Sequence, residues 1–279
     1  MDEKSDGVSD DIDRSDELRD WYAEDEDGSL SHVRHAGHLG MAIKLAEQFS
    51  GRLLFVNKRG WHRWDSTRWA PDGDGTARRA VHTLLRRERA QLDKLPSEER
   101  ERRGRAISRL ETVQSITGIL TEAAALQAFS VVVDSIDADP WLLNCANGTL
   151  DLRTMELREH NPDDLITKIA RAAYTPNADG ATWTRFLARV LPDPDVCGYL
   201  QRLTGLSLLG KVNGDKQVAP IMTGRGANGK TTYIEAVMFA LGDYAVPADP
   251  DLLMARNGEV HPTGCADLLG KRLVSTAET

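Results

Sequence analysis

Residues 38–49 (HLGMAIKLAEQF) place apolar side chains at helical spacing and stop at Ser50-Gly51, which predicts a helix with a glycine just past its end. Residues 52–56 are a short apolar run, and 57–60 read as a turn. Trp61, Trp64 and Trp69 follow at strand-like spacing, so two or three short strands in hairpins are expected. Residues 71–75 (PDGDG) are a loop. The pattern turns helical from Thr76 to about Leu95 and breaks at Pro96-Ser97. Ser97-Glu98-Glu99-Arg100 resembles a helix cap with an acidic first turn, which suits the positive end of the helix dipole. A long helix is predicted from there into the 120s, carrying Ile107, Leu110, Val113 and Ile116 and weakened at Gly118. Asp139-Pro140 stops whatever precedes it.

Residues 141–170 read as short strands with turns, Asn147-Gly148 being the strongest turn signal. Short helices are expected over 183–190 and 196–209. Residues 218–223 are apolar and β-prone, and predict a strand that feeds a glycine-rich loop. A helix over 231–241 ends at Gly242-Asp243, and residues 272–277 form a last strand.

Composition narrows the class. The chain has 279 residues, 41% apolar and 28% charged, which suits a globular protein of about two domains. No apolar run approaches the roughly 18–20 residues of a membrane span. The acidic start, MDEKSDGVSDDID, is not a secretory signal. Cys145, Cys197 and Cys265 form no CxxC pair, which argues against a disulfide framework or zinc knuckle and fits a reducing cytoplasm.

The net charge of −8 is unevenly spread. Residues 1–30 hold 13 acids and 3 bases; roughly the first 20 are expected to be unstructured, with Trp21 and Tyr22 the first side chains able to dock. Residues 78–109 hold 11 bases against 5 acids, either a solvated helical face or a surface that neutralises phosphates. Trp61, Trp64 and Trp69 lie among Lys58, Arg59, Arg63 and Arg68. They could stack on bases or form the core of small hairpins. His32, His35 and His38 lack an acid or cysteine to complete a metal set, so a mobile polar segment is expected. His62 and His82 have no evident partners, and no Ser-His-Asp or Cys-His set stands out.

One motif carries chemistry. Gly224-Arg225-Gly226-Ala227-Asn228-Gly229-Lys230-Thr231 satisfies G-x-x-x-x-G-K-[ST]. Glycines reach backbone conformations closed to other residues, so successive N–H groups can converge on a phosphate. The helix that follows adds its N-terminal amides. ATP is the expected cofactor, bound by these eight residues and Thr232. Lys230 would reach the β- and γ-phosphates, and Thr231 would ligate Mg²⁺. A carboxylate at the end of a neighbouring strand should hold the metal and attacking water. Glu278, closing RLVSTAE, is the candidate, and Asp267 is less suitable.

NCANGTLDLRT, LITK, Tyr174-Thr175-Pro176, FLARVLPDP, YLQRLTGLSLLG, GRGANGKTT, LGDYA and GKRLVSTAET occur in this order. Together they resemble the phage/plasmid primase–helicase family, whose motor belongs to helicase superfamily 3, the poxvirus-type NTPases. The resemblance spans about Gly37 to Thr279. It implies an ATP-driven hexameric DNA helicase of phage or plasmid replication, in the cytoplasm of a bacterial host, with DNA as partner and no membrane. It also implies an α+β N-terminal domain followed by an incomplete α/β P-loop (AAA+-like) domain. The expected layout is an acidic tail over 1–30, a helicase-associated domain over 31–180 and a truncated P-loop domain over 181–279. Members of the family continue past the final Glu-Thr, so a motor weakly active or inactive alone is expected. The strand that normally separates the two motif-bearing strands is missing, so both should expose unpaired edges. Little precedes the matching region, so primer synthesis is not expected. Two other readings remain. One is a non-catalytic remnant acting as a nucleic-acid or protein interaction module; the other is a small-molecule kinase, which would need a lid and an acceptor pocket.

Overall fold

Helix α1 (Gly37–Phe49) buries Met41, Ala42 and Leu45 on one face, with Phe49 packed beside them, so its apolar stripe is the one the spacing predicts. This is a computed structural model, and it describes residues 37–210, 218–249 and 268–276. The expectations for the acidic tail, Trp21, Tyr22, His32, His35, Cys265, Asp267 and Glu278 lie outside the described residues.

After α1 the chain enters β1 (Leu53–Val56), β2 (Gly60–Trp64) and β3 (Trp69–Pro71), an antiparallel ribbon. A two-residue strand, β4 (Ser130–Val131), joins β1 in parallel, giving the order β3-β2-β1-β4. Successive residues of β1 point to opposite faces. Leu53 and Phe55 therefore meet the helices, while Leu54 and Val56 pack with Trp69 and Ile136 on the other side. The tryptophans are structural. Trp61 makes edge contacts with Phe55 and Phe129, and Trp69, 3% exposed, leans on Trp64. His62 is buried too, its Nδ1 within 3.0 Å of the Gly60 carbonyl, and burial pulls its pKa down.

Helix α2 (Thr76–Ala90) starts where both Asp72 carboxylate oxygens accept backbone N–H groups, from Thr76 at 2.6 Å and Ala77 at 2.9 Å. It ends sooner than expected, in a 3₁₀ turn at Leu92–Lys94. The predicted long helix is two: α3 (Ser97–Leu110) and α4 (Val113–Ala125). Thr112 divides them, its side chain accepting from the Ser115 N–H at 3.1 Å, so a strong cap overrides a continuous apolar pattern. Gly118 sits inside α4, where the His38 ring presses against it and leaves no room for a Cβ.

The second half is built around the meander β5 (Leu142–Cys145), β6 (Gly148–Asp151) and β7 (Glu156–Arg158). Helices α5 (Ala181–Val190), α6 (Pro194–Leu206) and α7 (Lys230–Leu241) follow. Two short parallel strands close the described chain: β8 (Ala245–Pro247) and β9 (Leu273–Ser275). Leu143, Cys145, Leu150 and Ala170 share one core with Leu241 and Tyr244, so the meander and α7 are packed together. The molecule is thus mixed α and β throughout.

One predicted element does not form. Residues 218–223 join no ladder, and Val218 and Ile221 are 53% and 87% exposed. A strand needs a hydrogen-bonding neighbour to satisfy its backbone. Here β9 pairs with β8, and no described strand lies beside 218–223. The predicted last strand, over 272–277, is present as β9, one residue shorter at its start and ended at Ser275 before Thr276.

Candidate nucleotide-binding loop

Helix α7 begins at Lys230, immediately after Gly229, so its first-turn amides open towards the loop. Within the loop φ alternates in sign: Ala227 is at 60° and Gly229 at 85°, with Asn228 between them not positive. Alternation of this kind is a feature of backbone nests that hold anions. Gly224 is at φ 151°, and a Cβ there would collide with the Asn228 side-chain amide. Gly229 is needed twice over, for its φ and because a Cβ would strike Val190 of α5.

The Lys230 side chain curls back over its own loop. Its ammonium donates to the Gly224 carbonyl at 3.0 Å, the Asn228 Oδ1 at 2.9 Å and the Arg225 carbonyl at 3.4 Å. Lys230 thus gathers Gly224, Arg225 and Asn228 around its ammonium, and Gly226, Ala227, Thr231 and Thr232 are exposed. The loop is closed to a Cβ at Gly224 and Gly229 and carries the Lys230 ammonium over its own carbonyls, a donor set that suits a phosphate group. Glu278 is the one predicted site residue outside the described residues. Among the described residues no cluster of three His, Cys, Asp or Glu could hold a metal ion by itself.

The helix behind the loop is anchored by Tyr233, one turn in. Its ring stacks on Trp183 of α5, and its hydroxyl pairs with the Thr204 hydroxyl of α6. Burial raises the Tyr233 pKa, so the phenol stays neutral. Beyond α7, Asp243 pairs with Arg68 from the β2–β3 turn and accepts from the Ile169 N–H at 3.2 Å.

Sequence reasoning missed the polar group that joins the two halves. Asn144 is fully buried. Its amide donates to the Thr67 and Lys168 carbonyls at 3.0 and 2.9 Å, and its oxygen accepts from the His160 ring at 2.7 Å. Arg272, at the start of β9, donates to the Leu142 carbonyl at 2.6 Å and to the Leu208 carbonyl, and its guanidinium lies 4.4 Å from the Tyr244 ring centre. The only signal for Asn144 was a polar residue inside the apolar run LLNC. Arg272 gave none.

An α+β domain followed by a glycine-rich loop that opens a helix defines the class of protein. A profile of the D5 N terminal like family matches residues 42–192, more than half of the chain, and the chain belongs to that family. It is 24% identical over 249 residues to a protein of Acanthamoeba polyphaga mimivirus named "putative helicase", covering 81% of this chain and 26% of that protein. It is 28% identical over 132 residues to an African swine fever virus protein named "putative primase", covering 46% of this chain and 14% of that one. The chain thus spans about a quarter of the first relative and about a seventh of the second. These matches make it a member of the viral primase–helicase group. No described helix is long and apolar enough to cross a membrane.

Proposed function

We propose that this chain is the ATP-binding portion of a DNA helicase of the primase-associated kind, with residues 224–231 as its phosphate loop. The carrying observation is Lys230, held by two loop carbonyls and Asn228 at the mouth of α7, where a bound phosphate would replace those weaker acceptors. The relatives named for helicase and primase activity support DNA as the partner. In this reading Thr231 holds Mg²⁺, which neutralises charge on the phosphates, and Glu278 orients the attacking water. Hexamer formation and unwinding belong to the proposal for the complete protein.

Lys230→Ala should weaken ATP binding at least about tenfold, measured with a fluorescent nucleotide analogue, because a charge-assisted contact is lost. ATP bound as tightly by the variant as by the parent would sink the assignment. A second reading, a non-catalytic interaction module, is favoured by the unpaired residues 218–223 in front of the loop. Steady ATP hydrolysis by the chain, abolished in Glu278→Gln, would count decisively against it.

A further inference from the structure

A cleft of about 600 Å³ opens between the end of α1, the start of β1 and the first turns of α2, on the far side of the sequence from the loop. Three arginines line it: Arg52, Arg63 and Arg79. One carboxylate faces them. Asp74 is engaged by the Thr76 hydroxyl at 2.7 Å and by Arg79 at 3.1 Å, and stands 3.9 Å from Arg63 Nε, beyond hydrogen-bond reach. Arg63 Nε is therefore buried without a hydrogen-bond partner, which native structures rarely leave unexplained. Arg52 is exposed, and its guanidinium makes no hydrogen bond or ion pair among the described residues, while its backbone is tied to Phe49 and Trp64. The floor is apolar where Phe49 contributes, and the Thr83 hydroxyl adds a polar edge. Size, the unpaired Arg52 guanidinium, an Arg63 that lacks a hydrogen bond at Nε and an apolar floor suit a nucleotide unit, with its phosphate on the guanidinium forks and its sugar or base on the floor.

We propose that this cleft is a second, loop-independent site that binds the phosphate of a nucleotide unit through Arg52 and Arg63. The site shares with the function proposed above only the expectation of a nucleic-acid partner, and Lys230→Ala separates the two. The phosphate can belong to a free nucleotide or to one residue of a single strand.

The test uses the full chain with two probes, dAMP by calorimetry and a labelled oligothymidylate of about 12 nucleotides by anisotropy, near physiological salt. Arg52→Glu is the primary variant, because Arg52 is exposed and its change should not disturb folding; Arg63→Gln is the second, checked by its thermal melt. Both should weaken binding about tenfold or more, while the exposed control Arg102→Glu stays within about twofold. Loss with both probes identifies a pocket for the nucleotide unit itself, and loss with the oligonucleotide alone identifies a strand-tracking contact. The proposal is overturned if neither probe binds the parent, if Arg52→Glu binds as the parent does, or if Arg102→Glu loses as much as Arg52→Glu. Loss of dAMP in Lys230→Ala but not in Arg52→Glu places the nucleotide in the loop and likewise overturns it.

Discussion

The sheet-and-helix body of α1–α4 and the loop-bearing half differ in how they treat large apolar side chains. In the first, Leu45, Leu84, Ile119, Val81 and Phe129 are all wholly buried. In the second, α5 and α6 bury no residue completely, and Phe239, Tyr199, Val196 and Ile221 are 62%, 50%, 47% and 87% exposed. The first body is a finished core. The second holds a small one, at Leu143, Leu150, Leu241 and Tyr244, surrounded by apolar surface still facing outward. Contiguous exposed apolar surface marks places where other surfaces pack. Stability should therefore reside in the body, and the loop should sit on an adaptable platform.

The largest expected effect tests that division directly. Leu84→Ala, in the centre of α2's buried face, should cost about 2–5 kcal/mol through lost burial and a residual cavity. Phe239→Ala removes a bigger side chain, yet should cost only about 0.5–1 kcal/mol. Its ring is exposed, and its named contact is the Arg171 guanidinium 4.4 Å away. Urea melts of both variants check the ratio; equal losses would mean that the second half is covered in solution.

A smaller effect probes the joint between the regions. Asn144→Ala deletes two donors to the Thr67 and Lys168 carbonyls and the acceptor of the His160 ring, at a residue that is itself fully buried. The expected loss is about 2–3 kcal/mol, from groups left buried without partners. If unfolding of the parent is a single transition, this variant should also split it in two, seen as fluorescence and circular-dichroism melts that no longer coincide.

Helices were legible in the sequence wherever an apolar stripe ran their full length, as at α1 and α2, because one buried face is a local property. Caps decided what the stripe could not: Thr112 cut a continuous pattern into α3 and α4. The 218–223 run shows the opposite limit. Its residues are β-prone, but a strand is made by its neighbour, and neighbours are not written in the segment itself. The loop was legible because eight adjacent positions carry it. Its supports were not. Asn144, Arg272 and Tyr244 meet across more than a hundred residues, and only the folded chain puts the Arg272 guanidinium on the Tyr244 ring. The arginine cleft escaped for the same reason. Arg52, Arg63 and Arg79 are spread over 28 positions, and the sequence showed Arg63 only among the tryptophans and Arg79 only inside the basic run 78–109, with Arg52 in neither.

The smallest effect concerns Tyr244, the wholly buried phenol between the halves. Its oxygen accepts from the Asn144 N–H at 3.2 Å, so Tyr244→Phe should cost about 1 kcal/mol at neutral pH. The pH dependence is more telling. Burial pushes this phenol up to about 12 from an ordinary 10.0, although the Arg272 charge pulls the other way. The folded state thus holds the proton more tightly than the unfolded chain. Its contribution is complete below pH 10 and drains away as the pH climbs towards 12, by about 1.4 kcal/mol per unit. Tyr244→Phe has no such proton to lose. Urea midpoints taken from pH 8 to 11.5 should show the parent ahead at first, then falling faster, so that the two curves converge and cross. Parallel curves over that range would mean that the Tyr244 hydroxyl is open to solvent and that the joint between body and platform is looser than its hydrogen bonds imply.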